Sequence, residues 1–172
     1  LSSDIQVRRL LLEVDHLNVG ASGALLATHV FTGQGANWQN DGKLTSDASL
    51  SLTLTGAYTG SGALTAAEQL ALTAQTVHNQ GTLGAGDTLT IRAQRLQNEN
   101  GLIFSGGDLL LAANEVHNRR ADIYSLGALT VSGRTGAAAQ TVENRSGHIE
   151  ADGVLSIEAD TVTNTKDVFT LV

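Results

Sequence analysis

The same short frame of residues recurs along this chain about every twenty positions, and that repeat limits the fold more than any other feature. The segment Asn79–Asn98 and the segment Asn144–Asn164 show it most clearly. Equivalent positions line up as ladders. One runs Leu44, Leu64, Leu83, Ile103, Ile123, Ile149. Six residues later come Leu50, Leu70, Leu89, Leu109, Leu129, Leu155, and two further on Leu52, Leu72, Ile91, Leu111, Val131, Ile157. Two more positions give Leu54, Ala74, Ala93, Ala113, Gly133, Ala159. Then follow Tyr58, Val77, Leu96, Val116, Val142, Val162, and two residues later Gly60, Asn79, Asn98, Asn118, Asn144, Asn164. Leu25, Phe31, Gly33, Gly35, Trp38 and Asn40 make an earlier, degenerate copy.

Within each copy the apolar residues alternate, as in Thr88-Leu89-Thr90-Ile91-Arg92-Ala93. A period of two marks strands with one buried face. Gly-rich and Asp-bearing clusters such as Gly84-Ala85-Gly86-Asp87 supply turns between them. Twenty residues give short strands and turns, and one such unit cannot bury its apolar face alone. Stacked copies can, each coil pairing with its neighbours as parallel strands. The expected fold is therefore all-β, a parallel β-helix with coils of about 20 residues. Seven or eight coils at the usual strand spacing make a rod roughly 35 Å long. Thr65–Gln75 is rich in helix formers, but its fit to the frame overrides that propensity.

Composition agrees with a thin, elongated core. The chain has no Cys, Met or Pro, and only 3% of its residues are aromatic. Ten basic residues against seventeen acidic ones leave a net charge of −7, which argues against a nucleic-acid partner. No apolar run is long enough for a membrane-spanning helix. The first residues, Leu1–Leu17, lack the basic-then-apolar layout of a signal peptide. Apolar stretches at both ends, the last being Val168–Val172, read as cuts through a longer chain. Residues 1–37 are expected to form irregular coils of the same solenoid, with Phe31 and Trp38 filling gaps beside Gly33 and Gly35; a junction with a different upstream domain is the alternative. Residues 38–172 carry the regular repeats, and the whole is one continuous fragment.

The column Asn40, Asn79, Asn98, Asn118, Asn144, Asn164 is read as a structural ladder. Asn tolerates left-handed turns, and stacked amides bond from rung to rung. A glycan or metal site is the rival reading. Six extra residues, Arg134, Thr135, Gly136, Ala137, Ala138 and Ala139, interrupt the frame. Insertions in a solenoid map to loops on one face, so these read as a tolerated loop, with a contact site for a receptor or neighbouring domain as the alternative. Outward-pointing Leu110 is a further contact candidate.

Parallel β-helices also host polysaccharide-active enzymes, which need converging carboxylates. Asp47, Glu68, Asp87, Asp108 and Asp152 fall near the same turn, yet no basic residue or His accompanies them in register. His78 and His117 share a frame position two coils apart, about 10 Å, too far to share a metal ion. No catalytic residue, metal site or cofactor is expected.

The frame L-x-N-x-x-G-x-I-x-x-x-x-x-L-x-L-x-A resembles the haemagglutinin repeat of filamentous haemagglutinins and of contact-dependent growth inhibition exoproteins. Leu96–Ile103 and Val142–Ile149 match best, and the resemblance covers roughly Trp38–Asn164. It implies a right-handed parallel β-helix on the bacterial cell surface. It also implies export by two-partner secretion through an outer-membrane pore partner, and a virulence or competition role. The chain would be a stalk segment projecting a distal adhesive or toxin region. The alternative is an adhesin module that binds a host or target-cell receptor or glycan. A polysaccharide-active β-helix enzyme is the third reading.

Overall fold

A computed structural model describes residues 3–168; residues 169–172 of the apolar end run lie outside the described residues. Those described residues form twenty β-strands and no helix. All strands belong to one parallel-paired system of about eight stacked coils. The fold is a β-solenoid of the expected kind.

Each coil contributes three ranks of strand. The first rank stacks Lys43–Ser46, Ala63–Ala66, Thr82–Ala85, Leu102–Ser105, Asp122–Ser125 and His148–Ala151. The second stacks Ser49–Leu54, Gln69–Thr73, the first halves of Thr88–Glu99 and Leu109–Arg119, then Leu129–Ser132 and Leu155–Ile157. The third stacks Ala57–Gly60, Thr76–Asn79, the second halves of those two long strands, then Ala139–Arg145 and Ala159–Thr165.

The registers follow the sequence ladders residue by residue. Leu44 pairs with Leu64, Leu64 with Leu83, Leu83 with Ile103, Ile103 with Ile123 and Ile123 with Ile149. Alternation sends these side chains inward, and they fuse into one hydrophobic core running the length of the stack. The helix-prone stretch Thr65–Gln75 is instead the end of one strand, a bend at Ala67–Glu68 and the strand Gln69–Thr73, for the same reason: Leu70 and Leu72 are buried between Leu50 and Leu52 on one side and Leu89 and Ile91 on the other.

The fourth ladder needs one change. Ala139, not Gly133, pairs with Ala159 and is fully buried. The chain leaves the frame after Ser132, which still pairs with Ala112, and is back in it at Ala139.

Below the regular coils the strands Ser3–Glu13, His16–Val19, Gly23–Gly35 and Asn37–Asn40 continue the same pairing. Ile5 faces Leu25, Leu10 faces Phe31 and Leu17 faces Trp38. A bulge between Val7 and Arg9 absorbs one extra residue.

Candidate functional site

The Asn column sits where the third rank turns into the next coil. Asn79 Nδ2 donates to Asn98 Oδ1 at 2.8 Å, Asn98 to Asn118 at 2.9 Å, Asn118 to Asn144 at 2.9 Å, and Asn144 to Asn164 at 3.0 Å. The other N–H of the amide donates to a backbone carbonyl: Asn98 to Asp122 O, and Asn118 to Ala121 O or His148 O. Asn79, Asn98 and Asn118 are buried, so these bonds satisfy groups that water cannot reach.

The left-handed turn residues are not the column asparagines themselves. Positive φ occurs two positions later, at Asn100 (55°), Arg120 (47°) and Ser146 (52°). The column residues are the last or next-to-last of their strands, which leaves the sharp turn to the residues after them. The glycine that follows Asn100 makes room for the amides: a Cβ on Gly101 would lie 2.7 Å from Asn79 Nδ2.

Asn40 stands apart from the others. Its neighbour in the column is Gly60, where a Cβ would lie 2.0 Å from Asn40 O. The Asn40 amide instead donates to Tyr58 Oη at 3.2 Å and to Ala63 O at 2.8 Å. Burial pushes the Tyr58 phenol up to about 12.

A second polar column escaped the sequence reading. Ser46, Ser105 and Ser125 are buried at the end of the first rank. Ser105 Oγ donates to Asp87 O or Asp108 O and Ser125 Oγ to Gly107 O or Ala128 O, tying successive coils at the turn. Ala66 and Ala85 occupy the same register, so the column reads as "small" and its hydroxyls look like ordinary turn residues.

The insertion divides into three parts. Thr135, Gly136, Ala137 and Ala138 are exposed, and Gly136 takes a φ of 89°. Arg134 folds back along the rod: its N–H donates to Asn114 Oδ1 at 2.9 Å and its guanidinium to Gln75 Oε1 at 3.0 Å. Ala139 must be withdrawn from the contact candidates, because it lies in the core. Leu110 points outward and is half-buried between Thr90 and Thr130.

Outward side chains of the third rank form charged columns. Arg95 pairs with Glu115 at 2.8 Å, and this holds the Glu115 carboxyl below its usual range. His117 lies 2.9 Å from Glu143, and Arg145 bonds Asp167, whose carboxyl is likewise lowered. His78 and His117 are separated by Gln97, in the register expected.

The acidic residues near the turn do not form one continuous column; only Glu68 and Asp87 share an offset on adjacent coils. Relative to the Ser46–Ala151 register, Asp47 and Asp152 are one residue on, Glu68 and Asp87 two, and Asp108 three. Asp108 accepts from Ala128 N and Asp152 from the Tyr124 hydroxyl. Among the described residues no three His, Asp or Glu side chains are grouped to hold a metal ion, and no helix is long and apolar enough to cross a membrane.

Comparison with known proteins agrees with the repeat. The haemagglutinin repeat family matches residues 7–57, 31–83 and 42–171. Deoxyribonuclease CdiA of Dickeya dadantii (strain 3937) is 33% identical over 174 residues, covering 86% of this chain. The chain spans about 5% of the length of that curated relative. No solved structure matches. With the repeat matched along nearly the whole solenoid, the chain belongs to the haemagglutinin-repeat family of filamentous haemagglutinins and contact-dependent growth inhibition exoproteins.

Proposed function

We propose that this chain is a stalk segment of a two-partner-secreted bacterial surface exoprotein, passed through an outer-membrane pore partner and holding a distal adhesive or toxin region away from the cell. The observation that carries this reading is the continuous coil-to-coil pairing, from Ser3 opposite Gly23 to Arg145 opposite Thr165, shifted only at the bulge after Val7 and at the insertion. A solenoid in which each coil contacts only its neighbours can be lengthened or shortened by whole coils. That is the property a spacer needs. The net charge of −7 favours solubility and disfavours binding to DNA. We assign no catalysis to the segment, and place any nuclease activity of the kind the relative's name records in other parts of such a protein.

Excision of residues 79–97 tests the reading. It joins His78 to Asn98, which then takes the place of Asn79 in the column. The shortened chain is expected to keep its β-sheet circular dichroism and to lose one rung, about 4.8 Å, in small-angle scattering. Within a full-length exoprotein the distal region should still reach the surface. Collapse of the fold on excision would sink the modular stalk.

A second reading, contact with a receptor or glycan through the insertion, is favoured by the exposed tip Thr135–Ala138. It predicts that replacing those four residues abolishes attachment to target cells while the melting curve stays unchanged.

A further inference from the structure

Phe31, Trp38 and Tyr58 are buried in the core of this aromatic-poor chain. Phe104 and Tyr124 point outward instead, in one column of the first rank. The same column holds Thr45, Thr65 and Gly84 in the coils below, so the fold itself does not call for an aromatic ring there. The two rings are stacked, with centroids 5.9 Å apart and planes 25° from parallel. Tyr124 is held a second time, its hydroxyl donating to Asp152 Oδ1 at 2.9 Å.

The next outward column, two residues back along each strand, places Leu102, Asp122 and His148 in order, with His148 Nδ1 2.8 Å from Asp122 Oδ1. Glu150 follows Tyr124 in its own column. Leu102, Asp122, Tyr124, His148 and Glu150 line one shallow depression on the surface. It therefore has an aromatic wall already fixed in orientation, an apolar patch at Leu102, and carboxylates at its rim.

We propose that this depression binds a neutral pyranose of a surface glycan. The apolar C–H face of a pyranose packs on an aromatic ring or Leu102, while its hydroxyls donate to carboxylates. The Tyr124 proton is committed to Asp152, so the hydroxyl oxygen is left to accept from a sugar hydroxyl. Asp152 also keeps that phenol protonated above its ordinary range. Asp122 and Glu150 line the depression and Asp152 holds Tyr124, against the one imidazole of His148, and this charge excludes sulfated, phosphorylated and sialylated sugars. The site is independent of the stalk reading, which stands or falls on coil excision.

The test is binding of the 172-residue chain to polymers carrying galactose, glucose, mannose or N-acetylglucosamine, with heparin and a sialic-acid polymer as anionic controls. Saturation-transfer NMR with the matching methyl glycosides reports which sugar protons touch the protein. At least one neutral polymer is expected to bind and the anionic ones not. Tyr124→Ala should weaken binding about tenfold, the size of one good aromatic contact, and Tyr124→Phe much less. If Tyr124→Ala also lowers the melting temperature, Glu150→Ala and Asp122→Asn, both on exposed side chains, carry the test with the fold intact. Absence of binding to every neutral polymer, binding that none of Tyr124→Ala, Glu150→Ala and Asp122→Asn weakens, or a preference for the anionic polymers would each overturn the proposal.

Discussion

The indole of Trp38 stands in the space that a side chain at residue 33 would fill. A Cβ on Gly33 would lie 2.5 Å from Trp38 Cη2, and one on Gly35 would lie 2.6 Å from its Nε1. The indole N–H donates to Val14 O at 2.9 Å, so ring, gap and backbone bond fix one another. Gly33→Ala should therefore overpack the first coils and cost about 1–3 kcal/mol, read as a lower urea midpoint. Adding Trp38→Leu should recover part of that loss. A Gly33→Ala variant as stable as the parent would mean that the ring sits elsewhere.

The Asn column makes a graded prediction. Asn98 is buried, accepts from Asn79 and donates to Asn118 Oδ1 and Asp122 O. Asn98→Ala leaves the polar groups on both sides short of a partner, an expected cost of about 1–3 kcal/mol. Asn164 is exposed and among the described residues only accepts, from Asn144, so Asn164→Ala should change the urea midpoint little. Equal effects at the two positions would argue that the amides contribute through turn shape rather than burial.

The inward ladders were legible because stacking leaves one period in the sequence. A residue such as Ile103 must match Leu83 below and Ile123 above, so the pairing is written three times over. The handing-on of hydrogen bonds between asparagines has the same cause. What was not legible lacks a period. Ser105 and Ser125 share their column with Ala66 and Ala85, and only the carbonyls around them reveal why a hydroxyl is placed there. The exit and re-entry points of the insertion were ambiguous because Gly133 and Ala139 are both small and both count to the Ala113 position. Pairing with Ala159 in the coil above decides for Ala139.

That decision is testable by substitution. Ala139 is fully buried and pairs with Ala159, whereas Ala137 is exposed at the tip of the insertion. Ala139→Asp should bury a charge with no partner and cost several kcal/mol. Ala137→Asp should shift stability by no more than about 0.5 kcal/mol. Thermal melts of the two variants separate the outcomes, and a harmless Ala139→Asp would restore residue 139 to the loop.

Tyr58 makes the stack sensitive to alkali. Its phenol is buried beside the Asn40 amide, and burial raises it from 10 to about 12. The folded state therefore favours the protonated phenol more strongly than the unfolded state does. The resulting stability is fully present below about pH 10 and is lost as pH rises toward 12. Its size follows from the shift, on the order of 2–3 kcal/mol. Urea midpoints measured between those pH values should fall for the parent. Tyr58→Phe keeps the ring but leaves one buried Asn40 N–H without its acceptor, so it should cost about 1–3 kcal/mol at neutral pH and flatten the alkaline decline. A decline that persists undiminished in Tyr58→Phe would assign the alkaline transition to other groups, and the buried hydroxyl would then have no part in it.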